Sequence, residues 1–163
     1  MDQHSVFLVA ESDQLEAVQR LRARFDPSFG LVPAHVTLVF PFLPEGGLEA
    51  LATRLRSLGH RLPIPFSLGS PDSREGTLFC PLVLGRSEAT LLHDKLYACL
   101  PPELRSPLPF RPHLTLGRVP PGRAASRAFR DAEKLLPFTG TLERLVLERI
   151  GPDERSIPEI EIP

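Results

Sequence analysis

The tripeptides His35-Val36-Thr37 and His113-Leu114-Thr115 recur 78 positions apart (35 to 113) in a chain of 163 residues. Each lies in an apolar, strand-forming run: Ala34-His35-Val36-Thr37-Leu38-Val39-Phe40 and Pro112-His113-Leu114-Thr115-Leu116-Gly117. In an extended strand alternate side chains share a face, so each His projects with its Thr while Val36, Leu38 and Phe40 point the other way. A polar pair on one face of an otherwise apolar strand needs partners. Two such strands in one small chain predict a duplicated fold and a single site built from two matching halves. The blander alternative is two surface strands whose His and Thr are merely solvated. It leaves unexplained why both motifs follow a Pro within two residues and both end near a turn.

The rest of the chain repeats around these strands. Ser5–Ala10 predicts a strand, and Ser12 or Asp13 an N-cap for a helix carrying Leu15, Val18, Leu21 and Phe25 at helical spacing. Asp26-Pro27 closes that helix. After the first motif strand, Gly46-Gly47 leads into a helix with Leu48, Leu51, Leu55, Leu58 and Leu62 on one stripe. A strand follows at Ile64–Leu68, then a turn at Pro71–Gly76. The order then recurs: strand Thr77–Leu84, helix Ser87–Leu100, the second motif strand, helix Arg123–Leu136 and strand Thr139–Leu147. Ile157, Ile160 and Ile162 predict a last edge strand. The expected fold is α+β: a two-lobed, pseudo-twofold, duplicated β-α-β-α-β domain with antiparallel sheets around a central cleft and helices outside. One domain over residues 1–163 is expected, with repeats at about 4–70 and 76–150 and a final strand at about 156–162.

At residues 35–42 and 113–118 the chain resembles the two-histidine (2H) phosphoesterase superfamily, which includes the bacterial and archaeal 2′-5′ RNA ligase and cyclic phosphodiesterase proteins. His113-Leu-Thr-Leu-Gly-Arg118 is similar to the family's second motif, in which an Arg often follows. His35-Val-Thr-Leu-Val-Phe-Pro-Phe42 departs from the Phe-Leu-Gly ending of the RNA ligase branch and looks more like a bacterial branch. The resemblance implies His35 and His113 as acid and base, and Thr37 and Thr115 on the phosphate.

The residues themselves suit that chemistry. Imidazole, with an unperturbed pKa of about 6.5, serves as base or acid near neutrality. Two of them on opposite sides of a phosphodiester permit in-line attack, and hydroxyls on the same face can donate to the non-bridging oxygens. For hydrolysis of a 2′,3′-cyclic phosphate the leaning is His35 as acid and His113 as base, although the pseudo-symmetry leaves the reverse open. Arg118, Arg111 and Phe42 are candidate substrate-binding residues. Strict alternation from His113 puts Arg118 on the opposite strand face and Arg111 on the same one. Phe42 is a candidate base-stacking side chain, set against plain packing.

No cofactor or metal is called for, since no Asp, Glu or Cys accompanies either motif at ligand spacing. Cys80 and Cys99 are too few for a disulfide framework, and His4, His60 and His93 take structural readings. A net charge of −1 excludes a globally basic nucleic-acid coat. The expected partners are RNA ends or nucleotides bearing a 2′,3′-cyclic phosphate. Expected too are a monomer, no membrane contact, and a cytoplasmic location. Two alternatives remain at this point: a phosphodiesterase acting on a small cyclic-phosphate metabolite, and a non-catalytic RNA- or nucleotide-binding module.

Overall fold

A computed structural model describes residues 3–42 and 48–163; the Gly46-Gly47 helix entry lies outside them. In chain order the elements are β1 (Gln3–Glu11), α1 (Leu15–Phe25), β2 (His35–Phe42), α2 (Leu48–Leu58), β3 (Ile64–Ser67) and β4 (Asp72–Arg74). There follow β5 (Thr77–Pro81), α3 (Arg86–Tyr97), β6 (His113–Arg118), α4 (Arg123–Glu133), β7 (Thr139–Ile150) and β8 (Ser156–Ile162). The fold is α+β with antiparallel strands. Its two halves join edge to edge in one eight-stranded sheet of order β3-β7-β1-β2-β6-β5-β4, with β8 pairing further along β7.

β2 and β6, the two motif strands, meet at the middle of that sheet through one registered pair, Val36 opposite Leu114. These two occupy equivalent places in the repeat, so the pseudo-twofold axis passes between them. Val36, Leu38, Leu114 and Leu116 are fully buried in the core under the helices. The opposite sheet face carries a smaller apolar group of Phe7, Val9 and Val146.

The halves exchange parts. Helix α1 packs against β6 and α3 against β2, each covering the motif strand of the other half. His93 of α3 is buried and donates from Nδ1 to the Leu38 carbonyl at 2.6 Å, and its ring stacks 3.8 Å from that of Phe110. The third strands cross too: β7 pairs along β1, while the chain after β3 bridges Leu68 to Leu82 and then pairs β4 with β5.

Two local features depart from the alternation the sequence suggests. The turn expected at Pro71–Gly76 is shorter, because Asp72–Arg74 forms β4 and only Glu75 and Gly76 turn. Both turn residues sit at positive φ, 50° and 80°, as a two-residue hairpin that follows strand twist requires. In β6, Gly117 faces Leu78 but Thr115 faces Phe79, so Leu116 is an extra, bulged residue. Gly117 lies against the end of α1, where a Cβ would meet the Phe25 backbone at 2.8 Å. The same bulge recurs in β2, where Val39 faces Val6 and Thr37 faces Phe7. After each bulge the strand's parity is reversed.

Gly117→Ala is therefore expected to destabilise the fold by about 1–3 kcal/mol, the usual cost of overpacking, seen as a lower urea midpoint. The backbone atoms it meets have little room to give.

Candidate active site

Because Val36 and Leu114 face each other and point into the core, their strand neighbours His35, Thr37, His113 and Thr115 all share the other face. All four are partly exposed. His35 and His113 lie diagonally across the antiparallel pair, a relation that sets backbones about 7–8 Å apart and within reach of ring side chains. The two halves of the motif are thus brought together, on a sheet face.

Each imidazole is oriented by the same two contacts. His35 Nδ1 donates to the Pro33 carbonyl at 2.7 Å, and His113 Nδ1 to the Arg111 carbonyl at 2.6 Å. A carbonyl only accepts, so the neutral ring carries its proton on Nδ1 and leaves Nε2 with a lone pair. Phe7 packs against the His35 ring with centroids 4.9 Å apart, and Phe79 against His113 at 4.7 Å. Phe7 faces Thr37 across the strands as Phe79 faces Thr115.

The chain just before the carbonyl that holds His35 is anchored through Val32. Arg22 of α1 is only 1% exposed, pairs with Asp26 at 2.8 Å and donates to the Val32 carbonyl at 3.0 Å. This fixes the connection from α1 into β2. Burial works against the Asp26 charge, but hydrogen bonds from Ser28 and Arg22 outweigh it and lower its pKa.

Burial also governs both site histidines. Desolvation pushes His35 below the ordinary 6.5, although its carbonyl contact works the other way. His113 is lowered by desolvation as well, and the Arg111 charge adds to the effect. The free site therefore favours two neutral rings at neutral pH.

The remaining candidates divide. Arg111 lies on the His113 side, its guanidinium 5.4 Å from the Phe79 ring centre and its Nη1 2.9 Å from Asp72. That pair is half exposed, worth about 0–1 kcal/mol, and it commits the Arg111 charge. Arg118 is a correction to strict alternation: the bulge at Leu116 turns it onto the face of His113 and Thr115, opposite Thr77. Phe42 is also corrected. It is 4% exposed and packed in the core beneath the helices, so it presents no ring to a base. The matching bulge in β2 instead turns Phe40, at 40% exposure, onto the site face. Sequence reasoning missed Phe40, Phe7, Phe79 and Arg22. The signals for Phe40 were Pro41, a residue tolerated at bulges and edges, and Gly117 at the equivalent bulge.

The other histidines are structural. His4 Nε2 sits 3.1 Å from Glu159, and His60 Nδ1 3.0 Å from the Ser57 carbonyl. Cys80 is buried, its thiol pushed up to about 12 by desolvation. Among the described residues no three His, Cys, Asp or Glu side chains group as metal ligands, and no helix is long and apolar enough to cross a membrane.

The chain belongs to the 2′-5′ RNA ligase superfamily, whose sequence profile matches residues 10–154, and so to the two-histidine phosphoesterases. A Bacillus cytotoxicus protein named "Putative phosphoesterase" is 32% identical over 107 residues, which cover 60% of this chain and 59% of the relative. E. coli LigT, solved with NADP+, superposes with a TM-score of 0.61 at 17% identity, covering 98% of this chain and 96% of that one. Kluyveromyces marxianus Usb1, solved with uridine monophosphate, gives 0.54 at 14%, covering 99% and 97%. At these identities the structural likeness shows the fold.

The site geometry predicts that both ring resonances titrate below 6.5 in the free protein, followed by NMR, and move upward when inorganic phosphate is added. Unfolded rings protonate at the ordinary value, so between it and the lowered folded values the unfolded chain binds more protons. Stability is then expected to fall as pH drops through 6.5, and His35→Asn to remove part of that loss in denaturation curves.

Proposed function

We propose that this protein is a phosphodiesterase that opens 2′,3′-cyclic phosphates on RNA ends or nucleotides by two-histidine acid–base catalysis. The observation that carries this reading is the pairing of equivalent motif residues, which puts two His and two Thr on one face with both Nδ1 atoms already committed to carbonyls. A pure binding module has no need of two matched, tautomer-fixed imidazoles. Relatives named as phosphoesterases and a fold shared with nucleotide-bound LigT and Usb1 support the substrate class.

In the proposed step His113 Nε2 takes a proton from water as the water oxygen bonds to phosphorus. The opposite bond from phosphorus to a ribose oxygen breaks, and protonated His35 gives its Nε2 proton to that oxygen. The products are a phosphate monoester and a free ribose hydroxyl. Thr37 and Thr115 donate to the non-bridging oxygens, where charge builds in the transition state. Arg118 adds a cation one row further along the face. Run backwards with a ribose hydroxyl in place of water, the same residues would join RNA ends through a 2′-5′ bond.

His35→Ala or His113→Ala is expected to cost about 10²–10⁴-fold in turnover of 2′,3′-cyclic nucleotides, and the double variant far less than the product of the two. One ring must be protonated and the other neutral, and both are lowered in the free protein. The profile of kcat/KM should thus be a bell peaking on the acid side of 6.5. Activity should survive exhaustive EDTA treatment. Loss in EDTA with rescue by a divalent ion, or near-normal turnover in either single variant, would overturn the assignment.

A further inference from the structure

The helix layer, on the side of the sheet away from the histidines, carries a charged surface of its own. Helix α4 turns Ala125, Ala128, Phe129 and Ala132 to the core. At 100° per residue, Arg123, Arg127 and Arg130 fall on the opposite side of the helix, within about 60° of one another and about 10 Å from first to last. All three are exposed. An outward face of mixed, paired charge would be ordinary solvation, as on α1, where Arg20 pairs with Glu16 one turn away at 2.7 Å.

The α4 row differs in two ways. Asp131, on the flank towards α1, is taken by Arg24 and Lys134, each at 3.1 Å. Glu133, on the other flank, joins no arginine of the row, and among the described residues no ion pair involves Arg123, Arg127 or Arg130. The row also starts at the end of the helix least suited to it. Helices α1, α2 and α3 each carry an acid in the first turn, Glu16, Glu49 and Glu88, whereas α4 has none and opens on Arg123. A cation there opposes the positive end of the helix dipole. In a chain of net charge −1, three unpaired cations on one face are a local surplus that suits an anionic partner.

We propose that the Arg123, Arg127 and Arg130 face of α4 docks the body of an RNA strand whose cyclic end lies between the histidines. The proposal rests on the cyclic-phosphate reading for the position of that end. Charge complementarity supplies the occupant: each guanidinium suits a phosphate oxygen pair, and contacts to phosphate alone hold a strand whatever its sequence. A 2′,3′-cyclic phosphate requires a 2′-hydroxyl, so the strand is RNA. The α4 face adjoins the rim of the sheet that bears the site. Ser73, Gly76 and Leu78 of the β4–β5 hairpin line one cavity with Ala125, Ser126 and Phe129 of α4, and Val119 N–H donates to the Gly76 carbonyl at 2.7 Å. A strand leaving the site along β6 therefore crosses this hairpin and meets Arg123 first. From His113 to Arg118 alone is about 16 Å, so a mononucleotide or dinucleotide stops short of α4 and a longer strand reaches it.

Dependence on strand length tests this without turnover. By calorimetry, an adenylate dodecamer ending in a 3′-phosphate should bind roughly tenfold tighter than the dinucleotide ApAp, the gain that three exposed charge pairs allow. Its affinity should also fall more steeply with salt, by about 0.7 in log–log slope for each phosphate neutralised. Arg123→Ala, Arg127→Ala and Arg130→Ala together should remove both differences, and the same three changes to Lys should keep most of each. The three side chains are exposed and unpaired, so the Ala variant should keep its urea midpoint. Equal binding of dodecamer and dinucleotide, or an advantage that the Ala variant retains, overturns the docking face. Uptake on phosphatidylserine vesicles with no gain for the dodecamer overturns it too and assigns the row to a lipid surface. Turnover of 2′,3′-cyclic AMP judges the proposed function separately. A protein that opens it yet shows no length advantage loses the docking face alone, and one that shows the advantage but no turnover loses the proposed function instead.

Discussion

Everything at the site hangs on the pairing of Val36 with Leu114. Antiparallel contact between equivalent residues of a repeat puts the symmetry axis at that contact, so whatever flanks one residue flanks the other in reverse. A slip of one position would turn every side chain of a strand to the other face. It would expose Val36 and Leu38, or Leu114 and Leu116, and bury an imidazole and a hydroxyl in their place. Each aliphatic side chain exposed costs about 1.5–3 kcal/mol, before the desolvation of the polar groups is counted. The site's geometry is therefore held by residues that never touch it.

One registered pair is a slender joint, and the exchange of helices explains why it suffices. Helix α1 seats on β6 and α3 on β2, so separating the strands would also unseat both helices from the core. His93 pins α3 to the β2 backbone, and Arg22 ties α1 to the chain entering β2. The Arg22–Asp26 pair is buried on both sides. Removing one partner of such a pair costs about 3–5 kcal/mol, because the other charge is left without compensation. That expense is placed on a side chain that holds Val32, the residue before the carbonyl that orients His35, where loss of position would matter most.

How much of this the sequence foretold follows from which rules act locally. Period-two alternation put His35, Thr37, His113 and Thr115 on polar faces; helical spacing found the first two helices, and the recurrence of the pattern gave the two that follow. Alternation failed at Leu38 and Leu116. A bulge is set by the partner strand, and no single-strand pattern records it. From these failures came the misplacement of Arg118 and of Phe40, while a second irregularity between Val39 and Phe42 returns Phe42 to the core. The exchange of helices and third strands was equally hidden, since a repeat in sequence does not say which copy each element packs on. Asp72–Arg74 gave too short a run to stand out from its turn, and only pairing with β5 makes it a strand.

The lowered histidine pKa values look at first like a defect in a site that needs one proton in place. On the proposed reading they are the reason the site acts only when occupied. Burial removes the water that would solvate an imidazolium, and the empty face holds two neutral rings with their Nε2 lone pairs free. A phosphate anion at about 4 Å restores the missing compensation, worth about 4 kcal/mol at an effective dielectric constant of about 20. One pKa unit corresponds to about 1.4 kcal/mol, so the anion is enough to bring one ring back to a protonated state near neutrality. A second proton would then have to enter beside the first charge, which the same burial opposes. The pairing that brings two equivalent histidines together thus yields, once the anion arrives, one acid and one base. The charges near the two rings are not alike: Arg111 lies by His113, and Arg22, Asp26 and Glu148 act on His35. Arg111 lowers His113 further, while at His35 the Arg22 charge lowers and the Glu148 and Asp26 charges raise.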